Sequence, residues 1–240
     1  MTHVGRVRGA ERRARRPPAE RNAVRKSVHS SFGSIRVKPP LVLPGQRIGV
    51  MGGTFNPPHA GHLLVSRSAL RRLALHQVWW VVTPGNPLKG NEDLPDLCGR
   101  MDLCRRLAAD RRVRVTGFEE TLRTPYTAVT LAFLRRRFPR VRFVWIMGAD
   151  NLAGFHRWQD WRRIAAIMPI AVVDRPGWRL KALASRAAHA LARAYLPESR
   201  ALTLPLLKPP AWTFITGPLS HLSSTELRRT LRITPNHAIP

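Results

Sequence analysis

From residue 44 onward, short apolar runs alternate with longer segments of mixed polarity. Residues 48–51 and 78–82 are continuous apolar runs, the first rich in β-branched side chains, which is typical of strands buried on both faces of a parallel sheet. Between such runs, apolar residues recur at spacings of three and four, which predicts amphipathic helices. The alternation predicts an α/β fold with a mainly parallel sheet.

The same patterns give approximate element boundaries. Strands are predicted at residues 48–51, 77–83, 113–116, 141–147, 167–173, 202–206 and 212–216. Helices are predicted at residues 60–75, 97–109, 126–138 and 180–195, with shorter ones after 148–152 and after 156–164, a turn at 121–125 and a helix start at 222–229. In such sheets, ligands bind beyond the carboxyl ends of the strands.

The end of the first strand carries the strongest candidate chemistry. Gly52 and Gly53 let the backbone turn sharply and let a phosphate approach it closely. His59 and His62 follow at the first turn of the next helix, where unpaired N–H groups and the helix dipole favour anions. Three residues apart, the two histidines share one helix face, and both could donate hydrogen bonds to a polyphosphate.

Two other kinds of site are less compatible with this stretch. A zinc site is disfavoured, because the histidine pair supplies only two ligands without a nearby Cys or HExxH pattern. A Walker-type phosphate loop is excluded, because no GK[ST] follows the glycines. An exposed turn with two ordinary surface histidines stays the bland alternative.

Further candidates follow the later strands. The loop after the second strand contains Asn86 and Lys89, which are expected at the site. Asp150 follows the strand at 141–147, and its carboxylate could accept ribose hydroxyls, orient a metal or serve merely as a helix N-cap. Of Trp158 and Trp161, one is expected in the core and one against a ligand ring.

The last candidate segment, near the carboxyl terminus, is a predicted helix start rich in hydroxyl side chains. Ser223 and Ser224 suit a helix N-cap and, with the free amides there, an anion site. Arg228 lies one turn further on and could add a planar, permanently charged clamp on the same anion.

Composition separates the first 43 residues from the rest. Residues 1–43 lack apolar periodicity and are predicted to be a disordered basic extension, with one domain over 44–240. No apolar stretch suits a secretory signal, and Glu11 and Glu20 argue against a transit peptide. A nucleic-acid or membrane-touching arm, a dispensable extension and a wrongly assigned start codon stay open; the last two are favoured.

The charge of the chain is strongly positive. It has 41 Lys and Arg against 14 Asp and Glu, a formal net charge of +27. This balance suits nucleic acid, an anionic membrane or a phosphate-rich substrate. Because nearly all the positive residues are arginine, compositional bias and a solvated surface are favoured over a binding stripe. Cys98 and Cys104 are compatible with a reducing cytoplasm and predict no structural metal. The sequence contains no run of about 18 apolar residues, so no membrane span is predicted.

Six ordered motifs together resemble the (H/T)xGH nucleotidyltransferase superfamily, and within it the bacterial nicotinate-mononucleotide adenylyltransferases. They are GGTFNPPHAGH at 52–62, NPLK at 86–89, PYTAVTL at 125–131, GADNL at 148–152, FHRWQDW at 155–161 and LSSTELR at 222–228. The chain departs at Val129, where many members are acidic, and at Leu222, where they have isoleucine. The resemblance covers most of residues 47–232 and implies a Rossmann-like, doubly wound sheet with helices on both faces.

The resemblance also implies a reaction: AMP passes from ATP to nicotinate mononucleotide, which yields deamido-NAD and pyrophosphate in NAD biosynthesis. Mg²⁺ would be bound mainly through ATP phosphates, with no metal site on the protein. The implied catalytic residues are His59, His62 and Arg228. The implied ATP-binding residues are Gly52, Gly53, Thr54, Phe55, His59, His62, Gly148, Asp150, Ser223, Ser224 and Arg228. The implied acceptor-binding residues are Asn86, Lys89, Thr127 and Trp158, with Trp158 stacking on the pyridine ring.

Two kinds of alternative to this function remain, a related adenylyltransferase and a nucleic-acid-binding protein. A related adenylyltransferase would use nicotinamide mononucleotide or phosphopantetheine as acceptor. A nucleic-acid-binding protein on a nucleotide fold would explain the charge, but no RNP, KH or zinc-finger pattern is present. Neither a specific nucleic acid nor a membrane is therefore expected as a partner, and a homo-oligomer stays open.

Overall fold

A computed structural model describes residues 1, 38–85, 94–122, 124, 126–217 and 227. All of these residues except Met1 fall within one compact unit, Ser31–Pro240. The predicted extension at 1–43 lies almost wholly outside the described residues, so its boundary and its disorder stay predictions.

Six parallel strands of the described chain form one sheet in the order β3-β2-β1-β4-β5-β6. This is the Rossmann order, in which the chain reverses direction across the sheet between β1 and β4. The strands are β1 (Arg47–Gly53), β2 (Gln77–Val82), β3 (Val113–Thr116), β4 (Arg142–Gly148), β5 (Ile170–Val173) and β6 (Trp212–Ile215).

Helices cover both faces of this sheet, as the doubly wound prediction requires. The α-helices are α1 (Ala60–Arg72), α2 (Leu97–Leu107), α3 (Glu119–Leu122), α4 (Thr127–Arg137), α5 (Ala149–Gly154), α6 (Trp161–Ile167), α7 (Arg179–Leu183) and α8 (Arg186–Ala190). Three 3₁₀ segments are Phe155–Arg157, Ala192–Ala194 and Glu198–Leu206. None of the helices in the described part of the chain is long and apolar enough to cross a membrane.

The side chains of β2 point alternately to the two faces of the sheet, and both faces are covered, which explains why every position from Val78 to Val82 is apolar. Trp79 and Val81 pack into a cluster with α4 to α8, whereas Val78 and Trp80 pack on the other face with α1, α2 and the segment Glu198–Leu206. Successive strand residues point to opposite faces, so a strand covered on both faces must be apolar throughout.

The predictions for residues 180–206 were wrong in two places. The helix predicted over 180–195 is broken, because the Ser185 hydroxyl accepts a hydrogen bond from Ala188 N–H and caps a new helix, α8. The strand predicted at 202–206 is a 3₁₀ segment that buries Ala201 and Leu204, three residues apart, while Leu202 and Leu206 are exposed. That spacing matches the three-residue turn of a 3₁₀ helix.

Two smaller boundaries also differ. The strand predicted from residue 167 begins at Ile170, because α6 continues to Ile167. The turn predicted at 121–125 is partly the short helix α3. The helix start predicted at 222–229 lies outside the described residues apart from Leu227, which is helical.

Candidate active site

The turn after β1 lies at the carboxyl end of the sheet, where the order of the strands changes from one side of β1 to the other. A Cβ on Gly52 would lie 2.7 Å from a ring carbon of Trp145, so only glycine allows this approach. Phe55 has a left-handed backbone with φ 48°, which is uncommon for a non-glycine residue and is typical of a functional turn. Its side chain is 2% exposed and packs against Trp80 and His62.

His59 and His62 form a reciprocal cap at the start of α1. The Nδ1 atom of His59 accepts a hydrogen bond from Gly61 N–H at 3.1 Å, and Nδ1 of His62 accepts one from His59 N–H at 3.1 Å. The ring centroids of the two imidazoles lie 3.9 Å apart. The sequence pattern predicted this location at the first turn, but the cap itself follows only from the structure.

Both imidazoles are held neutral near pH 7. Burial lowers the pKa of His59 to about 4, and the positive charge of Arg175 adds to the effect. Burial lowers the pKa of His62 to about 3, with contributions from His59 and Arg175. Because each Nδ1 accepts a hydrogen bond, the proton of each neutral ring lies on Nε2. The cap therefore supplies two N–H donors, which suits an anionic oxygen.

A cavity of about 680 Å³ opens beside this turn, a size typical of small-molecule sites. It brings together six residues that the sequence predicted for the site. These are Gly52, Gly53, Thr54, Thr127, Asp150 and Trp158. The cavity therefore lies between the ends of β1 and β4 and the start of α4, as expected for a ligand site at the topological switch point between β1 and β4.

Asp150 is positioned by a glycine and an arginine. A Cβ on Gly148 would lie 2.3 Å from Asp150 Oδ1 and 2.9 Å from Arg175 Cδ, so Gly148 leaves room for both side chains. Arg175 Nη1 lies 3.8 Å from Asp150 Oδ2, while Asp150 Oδ1 is buried without a hydrogen-bond partner among the described residues. The N-cap alternative fails, because Asp150 lies inside α5 and Gly148 occupies the cap.

The structure distinguishes Trp158 from Trp161, of which the sequence predicted one in the core and one at the ligand. Trp161 is 8% exposed and belongs to the core, packed edge-on against Phe155. Trp158 lines the cavity, and its ring meets Trp145 and Phe155 at steep angles. Trp158 is therefore the one that a ligand ring could contact.

Several other cavity residues were not predicted. Glu119 is 4% exposed, and its Oε1 accepts a hydrogen bond from the Thr130 hydroxyl at 2.6 Å. Burial raises the pKa of Glu119, and hydrogen bonds from Thr130 and Thr83 oppose that effect. The missed lining residues include Thr83, Glu119, Tyr126, Trp145 and Arg157, and Arg175, which stands beside Asp150, was missed as well. Thr83 follows β2 directly and Arg175 stands two residues after β5, so the strand-end rule could have found both; the others depend on packing.

The structure leaves part of the prediction untested. Asn86, Lys89, Ser223, Ser224 and Arg228 lie outside the described residues. His59, His62 and Gly148 are not among the residues that line the cavity, and neither is Phe55, whose buried side chain packs against His62. Over the described ranges, no group of three or more His, Cys, Asp and Glu side chains could hold a metal ion.

Comparison with known proteins places this site in a family. The family model described as cytidylyltransferase-like matches residues 50–230, which is more than half of the chain. The chain belongs to the cytidylyltransferase-like family. The match includes the β1 turn, the histidine cap and the cavity residues of β4 and α5, so the whole candidate site lies within the family region.

Curated relatives define the branch. A protein of Agrobacterium fabrum named "Probable nicotinate-nucleotide adenylyltransferase" is 56% identical over 181 residues, which cover 75% of this chain and 97% of that protein. A protein of Methylorubrum extorquens strain PA1 with the same name is 57% identical over 182 residues, or 76% and 98% of the two chains. The chain therefore falls in the nicotinate-nucleotide adenylyltransferase branch of the cytidylyltransferase-like family, as the resemblance predicted.

A solved structure shares the fold. The Plasmodium falciparum nicotinic acid mononucleotide adenylyltransferase complexed with NaAD superposes with a TM-score of 0.57 at 19% identity, covering 78% of this chain and 84% of that one. At that identity the likeness concerns the fold alone, and it confirms the Rossmann-like prediction.

Proposed function

We propose that this protein transfers AMP from ATP to nicotinate mononucleotide, forming deamido-NAD and pyrophosphate in NAD biosynthesis. The observation that carries the proposal is the neutral histidine cap beside the β1 turn, next to a cavity large enough for nucleotides. Relatives more than half identical over most of the chain bear the name of this activity.

The chemistry needs little from the protein except alignment. A phosphate oxygen of nicotinate mononucleotide attacks the α-phosphorus of ATP, and the bond to the β-phosphate breaks as pyrophosphate leaves. The attacking phosphate is already largely ionised near pH 7, since its second pKa is about 6, so no side chain must remove a proton. Orientation of two bound substrates can supply roughly 7–11 kcal/mol.

Neutral N–H donors suit this reaction better than a general base. In the proposal, Nε2 of His62 donates to the α-phosphate and Nε2 of His59 donates to the neighbouring phosphates. Ser223, Ser224 and Arg228 would hold the β- and γ-phosphates. Donors fixed before the reaction can stabilise charge as it develops on the phosphorus oxygens.

The remaining ATP contacts are assigned to the strand ends. Gly52, Gly53, Thr54 and the backbone of Phe55 would line the nucleotide site, while Gly148 and Asp150 would hold a ribose. The buried, unpartnered oxygen of Asp150 is an acceptor suited to a ribose hydroxyl. Mg²⁺, when bound, would neutralise phosphate charge; the scattered carboxylates of the described residues fit an ion held by substrate oxygens and water.

The acceptor would occupy the side of the cavity near α4. Trp158 would stack on the pyridine ring, and Thr127 would contact the nucleotide with Asn86 and Lys89 from the loop after β2. Backbone N–H donors and the positive field would select a carboxylate over a carboxamide. Free thiols at Cys98 and Cys104 are consistent with a cytoplasmic setting for the reaction.

Pyrophosphate release tests the proposal. Purified protein with ATP and Mg²⁺ is given nicotinate mononucleotide, nicotinamide mononucleotide or phosphopantetheine in parallel. We expect strong preference for the nicotinate acceptor and a fall in kcat/KM of roughly 10²- to 10³-fold in His62→Ala, the range seen when a transition-state donor is removed. His189→Ala, on the exposed face of α8, is the matched control and should retain full activity. Release with none of the three acceptors would overturn the proposal.

A further inference from the structure

Arg100 is an arginine buried beneath the site. It lies in the first turns of α2 and is 1% exposed. Its guanidinium donates three hydrogen bonds of 2.8 Å each, from Nε to Pro95 O and from Nη1 to both Thr54 O and Thr83 O. All three acceptors are neutral backbone carbonyls, and no ion pair of Arg100 occurs among the described residues.

Two of these carbonyls belong to neighbouring segments with different proposed roles. Thr54 stands in the turn after β1, on the proposed ATP side, whereas Thr83 follows β2 and leads toward the loop of the proposed acceptor side. Both residues line the cavity. One nitrogen therefore bridges two segments that lie 29 residues apart in the chain.

Arg100 continues the link between these segments past the paired strands. The strands β1 and β2 are paired up to Gly53 and Val82, and Thr83 N–H donates to Gly53 O at 2.9 Å. One residue further along the first segment, Arg100 Nη1 joins Thr54 O to Thr83 O. A buried charge is tolerated only when its donors are satisfied, so this arrangement requires both carbonyls to stay in place.

We propose that Arg100 is a positioning residue that fixes the Thr54 turn relative to the Thr83 segment and thereby aligns the two substrates. The inference rests on the proposed function. Planarity is essential to it, since a guanidinium can direct N–H groups along several fixed lines, whereas a lysine ammonium is a compact point charge.

The test compares Arg100→Met and Arg100→Lys with the wild type, and Arg106→Met at an exposed position of α2 is the matched control. Each substrate is varied in turn while the other is saturating, and the rates are normalised to folded protein. We expect Arg100→Met to lower kcat by roughly 10- to 100-fold, since a misplacement of about 1 Å can cost 10²-fold. The two KM values should change less than about threefold, and Arg100→Lys should recover part of kcat.

A merely structural role would give a different result. If either variant keeps the wild-type kcat per folded molecule and only its Tm falls, the proposal is overturned. If Arg100→Met does not fold, Arg100→Lys provides this test. Loss of ATP binding by itself would also overturn it, because Arg100 would then act within one subsite.

Hydrogen exchange separates this inference from the proposed function. In the ligand-free Arg100→Lys protein, faster amide exchange is expected in both residues 54–56 and residues 83–85, with other segments unchanged. This outcome supports the bridge even if the wild type transfers no AMP, which would refute only the proposed function. Unchanged exchange in either segment would contradict the bridge.

Discussion

The two sides of the candidate site differ in how completely their polar groups are paired. The α1 side comprises the turn Gly52–Phe55 and the start of α1. There the His62 ring accepts from His59 N–H, the His59 ring accepts from Gly61 N–H, and Arg100 donates to the carbonyl of Thr54 in the turn. On the β4 side, the buried atoms Trp145 Nε1, Asp150 Oδ1 and His156 Nδ1 have no hydrogen-bond partner within the described residues.

This difference indicates different roles. The α1 side has its polar groups hydrogen-bonded before substrate arrives, and such preorganisation is the condition for electrostatic stabilisation without reorganisation. An unpaired buried polar atom costs about 1–3 kcal/mol, so the β4 side should change more when a nucleotide binds. We therefore expect phosphate chemistry on the α1 side and adaptable recognition of ribose and ring on the β4 side.

Among the variants that compare the two sides further, the largest effect is expected from Trp158→Ala. Stacking of a base on an aromatic side chain is worth roughly 1–3 kcal/mol, so the KM for nicotinate mononucleotide should rise at least about fivefold while the KM for ATP stays within about twofold. Steady-state kinetics with each substrate varied in turn measure both. Trp178→Ala, at a ring 39% exposed, is the control, and a rise confined to the KM for ATP would contradict the assignment.

A smaller effect, on stability, is expected from Glu119→Gln. Burial raises the pKa of Glu119, so above the usual glutamate pKa of about 4.3 the folded state holds its proton more tightly than the unfolded state. Wild-type stability should therefore fall as the pH rises through this window. The glutamine variant does not titrate, so its stability relative to the wild type should increase with pH, on the order of 1 kcal/mol.

Denaturant unfolding between pH 4 and 7 measures this trend. Glu120→Gln, an exposed position of the same short helix, is the matched control. A difference between Glu119→Gln and the wild type that shrinks as the pH rises would show that Glu119 is ionised more easily in the folded protein than in the unfolded chain.

The smallest effect is expected from removal of residues 2–37. The cut is placed before Lys38, because Thr116 Oγ1 donates to Lys38 O at 2.8 Å. If the basic extension is dispensable, kcat and both KM values should stay within about twofold. Loss of a salt-dependent interaction with nucleic acid on truncation would instead favour a binding role for the extension.

The sequence predicted those parts of the site that follow from position along the chain. Gly52, His59 and Asp150 follow strand ends or begin a helix, and the parallel sheet brings such ends together. Trp158 could be placed near the site but not chosen over Trp161, because both stand in one aromatic segment and only packing separates them.

Other parts depend on contacts between distant segments. Arg100 resembles any helical arginine in sequence, and its role appears only when α2 lies against the ends of β1 and β2. Glu119 is likewise one of two adjacent glutamates, of which only this one is buried. The strand predicted at residues 202–206 belongs instead to the 3₁₀ segment Glu198–Leu206, because the alternating leucines that predict a strand also fit this segment.

The central claim is that the α1 side presents two neutral imidazoles with their protons on Nε2. A nuclear magnetic resonance titration of the ligand-free protein, with ¹⁵N-labelled histidine and His59→Asn and His62→Asn for assignment, tests it directly. The account predicts Nε2–H tautomers for both rings and pKa values well below the usual 6.5, near 4 for His59 and 3 for His62. Protons on Nδ1, or pKa values at or above 6.5, would contradict it.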